Sequence, residues 1–203
     1  MPLKLLGNTQ RGLAFIVSAP AGTGKTTLVQ MLTDEFSCVI ANISYTTRPP
    51  RGGEVNGSDY HFLNVSEFQE KVAADDFLEH VQLYGNYYGT SRKWIESQLD
   101  SGKHVVLVID TQGAALLRKK FPAVAIFVRP PSVIELKRRL EGRGTESLEI
   151  IEERLQLAEE ELRAVKYYDY IIINDDLKIA YEAFRSIFIA EEHRIMAGSS
   201  PFP

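Results

Sequence analysis

Ser18-Ala19-Pro20-Ala21-Gly22-Thr23-Gly24-Lys25-Thr26-Thr27 is the stretch that decides the fold. An apolar run, Leu13-Ala14-Phe15-Ile16-Val17, leads into it, and a helical pattern, Leu28-Val29-Gln30-Met31-Leu32, follows. Strand, glycine loop and helix in that order are the setting of a phosphate-binding loop. Gly22 and Gly24 let the backbone turn its N–H groups inward, and those amides and the helix N-terminus cradle an anion. Lys25 is expected to reach the β/γ-phosphates and the Thr26 hydroxyl to sit on Mg²⁺. Ala19 stands where the strict pattern G-x-x-x-x-G-K-[ST] has its first glycine. That is a mild departure if its φ is negative and a strained one if φ is positive. The plainer alternative is a glycine-rich turn in an ordinary βα unit.

The chain has 203 residues, enough for one domain with small insertions. A net charge of −4 gives no basic field for nucleic acid or an anionic membrane, so an anion site must come from local Arg and Lys placement. Cys38 is alone, which excludes a disulfide framework or a cysteine zinc site and fits a reducing cytoplasm. No apolar run approaches the ~18 residues of a membrane span. Leu13–Val17 before Ala19-Pro20-Ala21 is shorter than the ~7–15 apolar residues of a signal peptide. Residues 1–12 read as a mobile lead-in and 198–203 as a loose tail.

Strand and helix alternate along most of the chain. After a helix to about Phe36 come the strand Val39-Ile40-Ala41 and a β-branched, polar stretch to Arg48 that Pro49-Pro50 breaks. Turn chemistry runs from Arg51 to Asp59. Tyr60–Leu63 reads as a strand, and Ser66-Glu67-Phe68-Gln69 has capping-box spacing for a short helix to about Ala74. Phe77–Leu83 is a strand, Gly85–Thr90 a turn with a short strand, and Ser91–Ser101 a helix. Residues 44–90 thus interrupt the α/β alternation and read as an inserted subdomain. The apolar run Val105–Ile109, a buried parallel strand, ends in Asp110, where open α/β sheets place ligands. A helix from Gln112, a strand Ala123–Val128 and a helix opened by Ser132-Val133-Ile134-Glu135 follow. The hinge Glu141–Glu146 leads to a long helix, Ser147–Val165, with Glu152, Glu153, Glu159, Glu160 and Glu161 on solvated faces. The last strand, Tyr170–Ile173, ends in Asn174, before a helix from Leu177.

Several side chains suit chemistry on phosphates and a base. Arg48 and Arg51 flank two prolines that stiffen the turn, and two fixed guanidiniums bind a phosphate dianion well, with Tyr60 and Tyr88 as phenol donors. The plainer alternative is a solvated basic turn. Glu79 stands either on the surface of an alternating strand or in a pocket. In a pocket its carboxylate accepts two parallel hydrogen bonds from N1–H and the exocyclic amine of guanine, while a hydroxyl at Ser44 or Thr90 donates to O6. Adenine leaves these groups unpaired. Asp110 is a turn residue or, beside a phosphate loop, an organiser of Mg²⁺ waters or of a second nucleotide. Lys137, Arg138, Arg139, Arg143 and Arg154 are either helix surface paired with glutamates or a lid closing on a transferring phosphoryl group. The four histidines show no ligand spacing, and no Gly-x-Ser-x-Gly elbow is present.

These motifs together resemble the guanylate kinase family. The resemblance runs from about Leu13 to Arg194. It rests on the phosphate loop, on Thr46-Thr47-Arg48-Pro49-Pro50-Arg51-Gly52-Gly53-Glu54 continuing to Gly57-Ser58-Asp59-Tyr60, and on Gly85-Asn86-Tyr87-Tyr88-Gly89-Thr90. Ile109-Asp110-Thr111-Gln112-Gly113, Leu140–Glu146 and Ile173-Asn174-Asp175-Asp176 complete it. The loop is shared by many NTPases; the Arg-Pro-Pro-Arg stretch joined to Asn-Tyr-Tyr-Gly is far more specific.

The resemblance implies an α/β fold: a P-loop NTPase core with a parallel sheet flanked by helices, a small α+β GMP-binding subdomain and a helical lid. The expected divisions are a core of 12–43, 91–137 and 158–196, a subdomain of 44–90 and a lid of 138–157. It implies Mg²⁺-dependent transfer of the γ-phosphoryl group of ATP to GMP, and dGMP, in the cytoplasm. Neither nucleic acid nor a membrane is a partner; a homo-oligomer is compatible with the sequence. Ala19, Pro20, Ala21, Gly22, Thr23, Gly24, Lys25, Thr26, Thr27 and Asn174 would meet ATP. Arg48, Arg51, Tyr60 and Tyr88 would hold the GMP phosphate, and Ser44, Glu79, Thr90 and Asp110 would read guanine. Lys25, Arg48, Arg139, Arg143 and Arg154 would act in transfer, and Thr26 would ligate Mg²⁺ with Asp110 acting through water. Ala19 departs from the family pattern, as does Val108, which stands where the family has a carboxylate. The alternative is a catalytically silent relative that uses the GMP site to bind phosphorylated partners.

Overall fold

The computed structural model describes residues 4–83, 85–142 and 148–195. Five strands, β1 (Ala14–Ser18), β2 (Val39–Ala41), β7 (His104–Val108), β8 (Val124–Arg129) and β9 (Tyr170–Ile173), form one sheet in the order β2-β7-β1-β8-β9. Every pairing in it is parallel. Such strands read as continuous apolar runs because both faces are covered. Phe15, Val17, Val106, Ile126, Val128 and Ile172 pack with Leu28 and Leu32 of α1 (Lys25–Glu35) and Phe184 and Phe188 of α7 (Leu177–Glu192). Ala14, Ile16, Val105, Leu107 and Ala125 pack with Ile95 and Leu99 of α3 (Arg92–Asp100) and Ala114 and Leu117 of α4 (Thr111–Arg118). The chain passes to opposite sides of β1, through β7 and β8, so the crevice at the carboxyl end of β1 is a topological switch point. The loop at residues 19–24 and Asp110 lie there.

A second, four-stranded sheet has the order β4-β3-β6-β5, built from β3 (Tyr45–Thr46), β4 (His61–Phe62), β5 (Phe77–Leu83) and β6 (Asn86–Ser91). Phe68 of α2 (Val65–Ala73) is stacked between Phe77 and Tyr87 beneath it. The expected cap of α2 is displaced. Asn64, not Ser66, accepts from Glu67 N–H at 2.9 Å, and the Glu67 carboxylate returns to Asn64 N–H at 2.8 Å, closing the box two residues earlier. Ser66 lies inside the helix, its hydroxyl turned to Glu70.

α5 (Val133–Glu141) and α6 (Leu148–Arg163) pair through Leu136, Leu140, Ile151 and Ala158, and a 3₁₀ turn at Ala164–Tyr167 leads to β9. Arg143 and the rest of the expected hinge up to Glu146, and the expected tail, lie outside the described residues.

The expected mobile lead-in is anchored from residue 4 onward. Leu6 is buried in the core, and the Glu192 carboxylate accepts from Gly7 N–H (2.6 Å), Asn8 N–H (3.0 Å) and His104 Nε2 (2.6 Å). His104 Nδ1 accepts from Leu13 N–H, so its proton resides on Nε2 and points at Glu192. Burial raises the Glu192 pKa, but these donors outweigh it and leave the carboxyl below its usual value. A polar residue near the end of α7 thus ties down a segment that composition alone marks as loose.

Candidate active site

The phosphate loop is built as its glycines require. Gly22 and Gly24 have φ of 88° and 85°, in the left-handed region. A Cβ on Gly24 would lie 2.5 Å from Asn174 Nδ2, and one on Gly22 would lie 3.0 Å from Leu140 of α5. Ala19 does not have a positive φ, and its methyl is buried in the core beside β1, so the loop accommodates alanine without strain. Thr23 is buried, its hydroxyl and N–H both turned to Pro20 C=O, which makes it part of the loop's own framework. Thr26 and Thr27 are exposed.

Side chains cap α2, α3, α4, α5 and α7, whereas Gly24 caps α1 with no side-chain bond. The first N–H groups of α1 are thereby left for an anion. Lys25 Nζ lies across the loop, donating to Ala19 C=O at 3.1 Å. Burial lowers its pKa, against the attraction of Glu161 and Asp110.

Glu161 is a correction. The sequence placed it on a solvated face with its neighbours, but it is half-buried and couples to Lys25 and Asp110, its pKa raised by burial against the pull of Lys25. The signal was the spacing Ile151, Arg154, Ala158, Glu161 along the inward stripe of α6. Arg154 is half-buried on the same stripe.

Asn174 is 4 % exposed, and its amide donates to Thr23 C=O at 2.7 Å, so it braces the loop from below. Its backbone carbonyl accepts from Arg139 Nη1 at 2.9 Å, and Glu135 accepts from Arg139 Nε at 2.7 Å. Arg139 is therefore held beside the loop. Arg138 and Lys137 are exposed on α5 and pair with Glu135 and Glu141, the surface alternative for that part of the cluster. Hydrogen bonds from Arg138 and Arg139 hold the Glu135 carboxyl at about 2.

On the second sheet, Phe77 pairs with Ser91 and Glu79 with Thr90, so Leu78 is an extra residue in β5. Such a bulge re-aims side chains. Leu78 enters the core, and Glu79, 4 % exposed, turns inward, which excludes its surface reading. Thr90 Oγ1 donates to Glu79 Oε1 at 2.6 Å. That bond turns the Thr90 proton toward Glu79, whereas Ser44, whose oxygen accepts from Asn42, keeps its own proton.

Asp110 caps α4, Oδ1 accepting from Gln112 N–H (2.7 Å) and Gly113 N–H (3.0 Å). Glu79 Oε2 and Asp110 Oδ2 lie 3.1 and 3.5 Å from where a Cβ on Gly113 would be, so both free carboxylate oxygens converge over the bare backbone of that glycine. Burial first, and then the Asp110 charge, push the Glu79 carboxyl up to about 7, against the Thr90 hydrogen bond.

Arg48 lies 5.3 Å from the Tyr60 ring centroid, and the Tyr60 and Tyr88 rings meet edge to face at 6.2 Å. Arg51 is exposed at the turn. Burial raises the Tyr60 pKa, so its phenol remains a donor at neutral pH.

An uncapped helix start with a half-buried lysine, beside two carboxylates that converge where the second sheet meets α4, defines a P-loop phosphotransferase. The comparisons with known proteins name the family. The profile of the family described as Guanylate kinase matches residues 11–191. The chain is 65 % identical over 189 residues to the guanylate kinase of Protochlamydia amoebophila (strain UWE25), covering 93 % of this chain and 96 % of that one. It is 51 % identical over 177 residues to that of Dechloromonas aromatica (strain RCB), covering 87 % and 88 %. The crystal structure of guanylate kinase from Anaplasma phagocytophilum superposes with a TM-score of 0.74 at 31 % identity, covering 94 % and 90 %. The chain belongs to the guanylate kinase family. It is an enzyme, a nucleoside monophosphate kinase that phosphorylates GMP from ATP, and nothing favours the silent binding module.

Proposed function

We propose that the reaction is carried by a division of labour between the two sheets. The loop amides, Lys25 and Thr26 take the ATP phosphates, with Asn174 bracing the loop. Arg48, Arg51, Tyr60 and Tyr88 take the phosphate of GMP, and Glu79, Ser44, Thr90 and Asp110 take its base. The observation that carries this reading is the convergence of Glu79 and Asp110 over Gly113, with Asp110 coupled onward to Lys25. It links a base-reading pocket to the loop lysine through one side chain.

A GMP phosphate oxygen attacks the γ-phosphorus, and the bond from that phosphorus to the β–γ bridging oxygen breaks, releasing ADP. The attacking oxygen is already anionic, so no strong general base is required, and catalysis is alignment and charge neutralisation. Lys25, Arg139 and Arg154 neutralise the equatorial oxygens; Arg143, outside the described residues, is assigned with them. The oxygen donors of Thr26 and Asp110 suit a hard divalent cation, and Glu161, which feels the Asp110 charge, adds a second carboxylate. Mg²⁺ held there would shield the β- and γ-phosphate charge.

Residues 44–90 act as the acceptor subdomain and 138–157 as the lid, and closure of both excludes water and so suppresses idle ATP hydrolysis. The assigned groups meet base and phosphate and leave the ribose 2′ position unaddressed, so dGMP is also an acceptor. A net charge of −4 supports free nucleotides rather than nucleic acid as ligands. No described helix is long and apolar enough to cross a membrane, and the single cysteine suits the cytoplasm.

The test is ADP formation from ATP and Mg²⁺ with GMP, dGMP, AMP, CMP or UMP as acceptor. GMP and dGMP are expected to exceed AMP by about 10⁴ in kcat/KM, the discrimination available when wrong pairing strands buried polar groups. Comparable turnover of AMP and GMP would overturn the assignment of the base pocket.

A further inference from the structure

Glu54 follows the turn that carries the two candidate phosphate arginines, and it closes that turn at both ends. Its Oε2 accepts from Arg48 Nη1 at 3.0 Å and from the backbone N–H of Arg51 at 2.7 Å, while its Oε1 accepts from Arg48 Nη2 at 2.9 Å. Pro49 and Pro50 between them supply no N–H and fix φ, so this carboxylate is the acceptor that organises the turn. Arg48 Nη1 spends its other hydrogen on Pro49 C=O at 2.8 Å, and the guanidinium lies over Tyr60 and Phe62. Both partners are well shielded, with side-chain exposures of 12 % and 20 %.

Counting donors shows what the pairing leaves. A guanidinium has five N–H groups. Pro49 and Glu54 take both on Nη1 and one on Nη2. The remaining Nη2 hydrogen and Nε–H lie parallel on the other edge of the fork, the geometry that grips a phosphate at two oxygens. The Tyr88 hydroxyl interacts with the same guanidinium.

We infer that Glu54 is a positioning residue for the acceptor: by holding the Nη1/Nη2 edge of Arg48 it turns the Nε/Nη2 edge toward the phosphate of GMP. This rests on the reading that Arg48 meets that phosphate. Glu54 touches no substrate and acts through Arg48.

The test is a double-mutant cycle of Glu54→Gln and Arg48→Lys, with kinetics and with GMP and guanosine binding by calorimetry. Glu54→Gln is expected to raise KM for GMP by about 10- to 100-fold, the range of a lost charge-assisted contact. The loss should fall on KM far more than on kcat. Guanosine, which has no phosphate, should bind as before. In the Arg48→Lys background the same change should cost less than about twofold, because lysine has no fork to aim. Glu54→Asp keeps the charge on a shorter arm and should fall between native and Gln, which keeps the test open if the Gln variant folds poorly. An unchanged KM for GMP, an equal loss for guanosine, or a full loss persisting in the Arg48→Lys background would overturn the inference. If Arg48→Lys alone leaves KM for GMP unchanged, the underlying phosphate-site reading fails instead.

Discussion

Glu79 is a carboxylate on which environment does most of the chemistry. Accepting from guanine requires the ionised form, yet its pKa is about 7. KM for GMP should therefore rise about tenfold per pH unit below that value. The phosphate monoester of the substrate titrates separately, near about 6. In Glu79→Gln the limb near neutrality should vanish while the substrate's own limb stays; a profile identical to the native one would remove Glu79 from the base pocket. Lys25 bears on transfer rather than selection. Lys25→Ala should lower kcat by at least about 10²–10³, as removal of a charge-stabilising donor does, with circular dichroism unchanged. Near-normal turnover would exclude it.

At the scale of the element, the proposed role of α6 lies on its one inward stripe. Glu161→Gln should raise KM for ATP by about tenfold while Glu160→Gln, exposed one residue earlier, leaves it unchanged; equal effects would show that the helix matters only as surface charge. In α2 the cap is Asn64, so Asn64→Ala should lower unfolding free energy by about 1 kcal/mol and Ser66→Ala by almost nothing, measured by denaturant melts. Nearly every element was legible in the sequence, because buried parallel strands write themselves as apolar runs and the loop glycines mark the first turn. The phosphate loop and the Arg48–Arg51 turn were legible for the same local reason. Beside the α2 cap and the anchored lead-in, three features of the site were not. The bulge at Leu78 depends on pairing with β6, the direction of the Thr90 proton depends on where Glu79 points, and Glu161 reaches Lys25 only after α6 folds back over the loop. Each depends on contacts distant in sequence, which periodicity does not encode.

Across the whole molecule, two buried carboxylates act on stability in opposite directions. The folded-state pKa of Glu79 is raised, so between about pH 4.5 and 7 the folded chain holds a proton that the unfolded chain has released, and stability falls as pH rises through that window. The difference amounts to on the order of 3 kcal/mol at about pH 8, and Glu79→Gln should gain on the native chain by up to that amount between about pH 5 and 8. Glu192 has a lowered folded-state pKa. Its contribution is complete above the ordinary carboxylate pKa and is lost as pH falls through the folded value. Glu192→Gln weakens the contacts with Gly7, Asn8 and His104 together and should lower stability by about 2–5 kcal/mol without changing the preference for GMP over AMP. A parallel loss of selectivity would show that the anchored N-terminal segment reaches the site.

The separation of the two sheets has an evolutionary consequence. Glu79 and Thr90 stand on one hairpin, β5–β6, whereas Lys25 and the loop belong to the parallel sheet, and the two meet where β5 packs on α4 over Gly113. The proposed acceptor pocket is thus split: Glu79 and Thr90 come from one stretch of contiguous sequence, Phe77–Ser91, while Ser44 and Asp110 complete it from outside. Retargeting such an enzyme to another base would therefore take matched changes on the hairpin and at Ser44 and Asp110, with position 113 kept bare.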